Sequence, residues 1–170
     1  MKVCILSDSH DNDKLLHAAI SQAEDQGAEA IIHCGDVVAA NTLKLARHHH
    51  IPMHVVHGNN AGDLFALAKF TSEPDNQVQY HGQDAGIVLA GRRIFVVHFP
   101  HYAEAMAATG DWDIVCCGHS HRLSIEKIAN MVGTSTWCIN PGTVGGIGAN
   151  ATYVLADLAT LEFEAVEVQQ

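Results

Sequence analysis

Short apolar runs alternate with amphipathic stretches along the first half of the chain. Val3–Ser7, Ala30–Cys34 and Met53–His57, the last opened by Pro52, are apolar runs of strand length. Between them lie segments with helical spacing: Lys14–Gln26, stopped by Gly27, and Thr42–His49, with Asn41 in the cap position. Leu64–Phe70 is a third, shorter helix. This β-α-β-α-β order implies parallel strands joined by right-handed crossovers. The second half changes character. Val78–His81, Gly86–Leu89, Arg93–His98, Asp113–Cys117, Arg122–Ile128, Thr134–Ile139, Thr152–Asp157 and Glu162–Val168 read as strands with mostly short connections. One alanine-rich helix, Tyr102–Thr109, interrupts them. Two mixed sheets packed face to face, with helices outside, account for this order and give an α/β class. No repeat, low-complexity tract or linker marks a boundary, so 1–170 is expected to form a single domain.

Composition narrows the classes. Apolar residues make up 48% of the chain and charged ones 16%, which predicts a packed core and excludes a disordered chain. A formal charge of −10 argues against extended nucleic-acid binding through a broad basic face, while leaving room for a small anion at a local positive site. No stretch approaches the ~20 apolar residues of a membrane span. Asp8, His10, Asp11 and Asp13 break up the N-terminal apolar run, so no signal peptide is expected and the cytoplasm is the expected compartment. Cys4, Cys34, Cys116, Cys117 and Cys138 sit in strand-like runs without a C-x-x-C pair and read as reduced thiols. Thirteen histidines are another matter, because their placement carries the chemistry.

Polar residues recur where the strands end. Asp8 and His10 follow the first strand, two apart and so able to project together if strand alternation continued. "HCGDV" supplies Asp36 after the second and "HGNN" supplies Asn59 after the third. His98 closes a later strand in "FVVHFPH", and "CCGHSHR" sets His119 and His121 two apart. Gly35, Gly58 and Gly118 immediately precede three of these residues, where the chain must turn sharply or approach an ion closely. Two Asp, one Asn and four His form a mixed oxygen and imidazole set suited to Mn, Fe, Zn, Co or Ni rather than to calcium. Seven ligands exceed what one zinc takes and suit two adjacent ions sharing a carboxylate.

The ordered set "DSH…GD…GNN…H…GHSH" resembles the calcineurin-like metallophosphoesterase superfamily, in particular its small bacterial and archaeal phosphodiesterases. "INPGT" at Ile139–Thr143 matches that group too, and the resemblance runs from Lys2 to about Asp157. It implies a four-layer α/β/β/α sandwich and two divalent ions, manganese first, with Fe, Zn, Ni and Co as alternatives. Asp8, His10 and His121 are assigned to one ion, Asn59, His98 and His119 to the other, with Asp36 bridging. A water between the ions would be deprotonated and would attack phosphorus in line. The implied substrate is a small phosphate ester, most simply a diester.

The chain also departs from the family pattern. Relatives commonly carry His or Cys and then Asp after Gly-Asn, where this chain has Asn60 and Ala61; Asp63 lies two residues on. An amide cannot act as an acid, so Asp36, Asn59, Asn60 and His101 form the candidate catalytic set, with His101 the alternative proton donor. "TVGGIGAN" lacks the Arg that relatives often carry after Pro-Gly and reads as a flexible connection. His33 and His57 are candidates for supporting roles, and Asn12 opens the first helix, whose N-terminus could hold a phosphate oxygen. His48–His50 ends a predicted helix and reads as a non-functional run. A scaffold that keeps this fold without catalysis, as in the retromer subunit, and a nuclease are the alternative functions. Self-association is left open.

Overall fold

The computed structural model describes residues 1–44, 49–74 and 76–169. Among these residues, eleven strands and four helices run in the order β1 (Lys2–Leu6), α1 (Asp13–Asp25), β2 (Ala28–His33), α2 (Ala40–Lys44), β3 (Met53–Val55), α3 (Leu64–Thr71), β4 (Val78–Tyr80), β5 (Asp84–Leu89), β6 (Arg92–Val97), α4 (Pro100–Thr109), β7 (Ile114–Cys116), β8 (Leu123–Ala129), β9 (Ser135–Pro141), β10 (Thr152–Asp157) and β11 (Glu162–Glu167). One sheet has the order β11-β10-β1-β2-β3-β4, the other β5-β6-β7-β9-β8. The run β1-β2-β3-β4 is parallel, as the alternating first half implies, and β10 and β11 extend it antiparallel. In the second sheet β6, β7 and β9 are parallel, with β5 and β8 antiparallel at its edges.

Side-chain alternation in the strands sorts the layers. Cys4 and Leu6 of β1 face a core shared with Leu16, Ile20 and Phe70 of α1 and α3, whereas Val3 and Ile5 face Ile94, Ile114 and Ile139 of the second sheet. A third core, Val97 and Val115 against Ala103 and Ala107, seats α4 on the far face. The layers are therefore helix, sheet, sheet, helix, the expected α/β/β/α sandwich. Burying each such Ile or Val stabilises the fold by about 1.5–3 kcal/mol. Every sequence-predicted strand is present.

The differences lie mostly at element ends. β1, β3, β6 and β7 each stop one or two residues earlier than the apolar runs suggest, because the chain leaves the sheet before its polar residues. α4 starts at Pro100, not Tyr102, since a proline suits the first helical turn. Asn41 is inside α2, not at its cap. Residues 45–48 of the predicted helix Thr42–His49, including His48, lie outside the described residues. His49 is buried and pairs with Glu24 and His17 of α1, so that part of the histidine run is a packing contact.

Candidate metal centre

The carboxyl ends of β1, β2 and β3 in one sheet and of β6 and β7 in the other open onto the same edge. The loop after β1 is laced to the loop after β2 by main-chain bonds: Asp8 N–H to Gly35 O (3.0 Å), His10 N–H to Asp36 O (2.9 Å) and Asp11 N–H to Val37 O (3.2 Å). Gly118 N–H donates to His98 O at 2.9 Å, tying the loops after β7 and β6 together. Asp8, His10, Asp36, His119 and His121 all have positive φ, between 44° and 68°. Left-handed backbone at five polar residues in one place is rare for side chains of any kind, and such strain collects at functional sites.

That backbone also corrects the reason for the pairing of Asp8 with His10. Neither belongs to a strand, so strand alternation does not aim them; the left-handed turns do. His119 and His121 likewise do not point the same way. His121 Nε2 lies 3.2 Å from His10 Nε2 and 3.5 Å from Asp8 Oδ1. His119 Nδ1 instead lies 2.8 Å from Asn59 Oδ1, which is also 3.0 Å from His98 Nε2. Two clusters result, and Asp36 stands between them. Its Oδ2 is 3.6 Å from His10 Nε2 and its Oδ1 3.4 Å from His98 Nε2. Asp8 reaches toward both, since its Oδ1 is also 4.0 Å from His98 Nε2, and the atoms of Asp8, His10 and His121 and of Asp8, Asp36 and His98 form two compact potential metal-holding groups.

Donor chemistry tests whether cations fit here. Asp8 and Asp36 are 0% and 2% exposed, and among the described residues their only ion-pair partners are histidines. Burial raises the Asp8 carboxyl to about 6, helped by the charge of Asp36. Burial also lifts Asp36, but two hydrogen bonds from Asn60 and the neighbouring His98 and His10 outweigh it and hold this carboxyl below its usual range. Burial lowers His98, so its ring is neutral and carries one N–H. Yet His98 faces an oxygen from each nitrogen, Cys34 O at 2.9 Å from Nδ1 and Asn59 Oδ1 from Nε2. A proton on Nδ1 leaves the Nε2 lone pair aimed at another lone pair. His121 repeats the pattern, with Nδ1 2.9 Å from Ile147 O and Nε2 facing His10. Converging lone pairs around buried carboxylates fit divalent cations, and imidazoles fixed by a backbone carbonyl at the far nitrogen are the usual metal-ligand arrangement.

All seven sequence-predicted metal ligands thus meet in one place. Asn60 meets them too: its backbone N–H donates to Asp36 Oδ1 (2.8 Å) and its Nδ2 to Oδ2 (2.7 Å). His101 does not. It is exposed on α4, its ring 5.7 Å from that of Phe99, which in turn lies 5.1 Å from the ring of His119. Asp63 caps α3 through Ala66 N–H and makes no substitute for the residue missing at Ala61. Asn12 caps α1 and holds Gly145 O through Nδ2. His57 Nδ1 contacts the Tyr80 hydroxyl at 2.6 Å. His33 is wholly buried beneath the first loop; burial drives its imidazole down to about 3, so it stays neutral, accepting from Gly35 N–H and facing Ser9 Oγ at 3.1 Å.

Several supports escaped sequence reasoning. The segment 142–148, read as a flexible connection, is tied down by Val144 N–H to Ser7 O and Gly145 N–H to Asp8 O, while Thr143 Oγ1 donates to Asp8 O. Its Ile147 carbonyl orients His121. Asn140 Nδ2 holds Gly118 O (2.7 Å) and Ser120 Oγ (3.0 Å), fixing the loop that carries His119 and His121. The match of "INPGT" was the one available signal for Asn140 and Thr143; a backbone carbonyl such as that of Ile147 leaves none.

A four-layer sandwich with an Asp, Asn and His cluster at one sheet edge is the arrangement that the resemblance to the metallophosphoesterases implies. The chain belongs to the calcineurin-like phosphoesterase superfamily, whose domain model matches residues 1–161. A phosphodiesterase of Methanocaldococcus jannaschii is 27% identical over 148 residues, covering 86% of each chain. Among solved structures, an archaeal phosphodiesterase superposes with a TM-score of 0.88 at 24% identity, over 98% of this chain and 99% of that one. The phosphoesterase Yfce of E. coli gives 0.68 at 17% identity, over 99% and 100%. Vps29 of Entamoeba histolytica, complexed with zinc, gives 0.64 at 16%, over 99% and 100%. At these identities the structural matches speak for the fold.

Proposed function

We propose that this protein is a dinuclear metal-dependent phosphodiesterase that hydrolyses a small phosphate diester. One observation carries the reading: two clusters of ligand atoms, one around Asp8, His10 and His121 and one around Asn59, His98 and His119, meet on the two oxygens of Asp36. When bound, a pair of divalent ions, manganese first, supplies an activated water and positive charge for the phosphoryl oxygens. The chain's own residues do the rest. Asp36 is the shared carboxylate, and Asn60 keeps it ionised and fixed by donating to both oxygens. Cys34 O and Ile147 O set the ring orientation of His98 and His121. The name of the archaeal relative, a phosphodiesterase, supports the diester assignment. His101, exposed and packed against Phe99, is the candidate acid for a departing alkoxide.

The test is turnover by chelator-stripped protein given back Mn, Fe, Ni, Zn or Mg, with phosphodiesters, phosphomonoesters and nucleotides. Diester hydrolysis restored by a transition ion, manganese foremost, is the expected result. Binding of metal without hydrolysis of any ester would overturn it and favour the scaffold reading.

A further inference from the structure

A cavity of about 540 Å³ lies against the outer face of β8 and β9, under the start of α4. Its lining adjoins, along the chain, the loops that carry the candidate metal ligands. Ser120, which lines it, stands between His119 and His121, and Pro100, which also lines it, is two residues beyond His98. Asn140, bonded to Ser120 Oγ, completes the side nearest the ligands. Volumes of roughly 300–1,000 Å³ are those of small-molecule sites.

The lining chooses among occupants. Arg122 directly follows the ligand His121, and among the described residues its guanidinium makes no ion pair or hydrogen bond. Glu104 of α4 and Glu126 of β8 also line the space, likewise unpaired among the described residues. One donor fork and two acceptor carboxylates, with hydroxyls from Ser120 and Ser124, leave a net charge of −1. A second anionic group is repelled by the carboxylates, and a purely hydrocarbon group would leave all three charges facing nothing. Hydroxyl groups, each both donor and acceptor, satisfy such a mixed lining.

We propose that this cavity holds one alcohol of the substrate diester, and that this alcohol is a polyol of about pentose size. The proposal rests on the phosphodiesterase reading for the phosphate itself. In the reaction tested below, water adds to phosphorus, the bond to the leaving aryl oxide breaks, and the polyol stays on phosphorus as its monoester with release of a proton.

The experiment compares two p-nitrophenyl diesters on the manganese-loaded protein, one of ribose through O5 and one of cyclopentylmethanol, with bis(p-nitrophenyl) phosphate as the common reference. Two or more added hydrogen bonds predict at least ~10-fold higher kcat/KM for the ribose ester. Relative to the reference substrate of the same variant, Arg122→Ala and the cavity-filling Ser124→Phe should each erase that preference. An independent readout is Cys138, which lines the cavity and is the one half-buried thiol, the other four being buried. Ribose 5-phosphate should slow its reaction with a methanethiosulfonate, and inorganic phosphate should not. Equal kcat/KM for the two esters, or a higher value for an aminopentanol ester, overturns the polyol assignment. Protection of Cys138 with no turnover of any diester instead rejects the phosphodiesterase reading and keeps the cavity.

Discussion

Each non-glycine residue held in the left-handed region costs roughly 1–3 kcal/mol, and such strain persists only where the surroundings over-determine it. Here the surroundings are main-chain bonds between loops and a few amide side chains, of which Asn60 touches Asp36 most closely. Asn60→Ala removes the side-chain donor and keeps the backbone one. Metal affinity should then fall ~10- to 100-fold, the usual cost of losing a partner that orients a ligand. Calorimetric titration of stripped protein checks this, and unchanged affinity would mean Asn60 only fills space. His33 makes a pH-dependent case. Its folded value near 3 is below the ordinary 6.5, so its contribution to stability is present above pH 6.5 and is lost as pH falls toward 3. Thermal unfolding of wild type and His33→Gln should therefore converge on acidification; a constant gap would contradict a buried neutral imidazole. All seven candidate ligands were legible in the sequence because polar residues recur at successive strand ends, three of them directly after a glycine. Their geometry was not, since alternation stops with β1 at Leu6 and left-handed turns take over.

At the scale of elements, the site depends on how closely the strand-end loops approach one another. Gly58 packs so tightly that a Cβ there would meet Asp36 Oδ1 and lie 2.7 Å from two carbons of the His98 ring. Gly118 is similar, with Asp8 Oδ2 at 2.7 Å. Gly58→Ala should cut metal affinity by at least ~10-fold while circular dichroism of the fold stays unchanged, because the clash is with two ligands and no core strand. Native affinity in that variant would show that the loops have slack. The strands were readable because β-branched apolar runs end in Gly, Asn and Asp. The start of the second helix was not, because Asn41 promised a cap and the chain had already begun to turn at Ala40. The 142–148 segment was misread for a different reason: its grip on Asp8 and His121 runs mainly through main-chain atoms.

Across the whole molecule, the centre joins the two sheets. Asp8, His10, Asp36 and Asn59 come from loops of the first sheet, and His98, His119 and His121 from the second. Ions held between them would bridge the layers of the sandwich and would place positive charge within a chain of formal charge −10, a local attraction for an anionic ester at one edge. The shared carboxylate is the centre of this account, and it is open to direct observation. Anomalous diffraction from crystals of the manganese-loaded protein should show two peaks, one beside His10 and His121 and one beside His98 and His119, each next to one oxygen of Asp36. A single peak, or peaks away from Asp36, would contradict it.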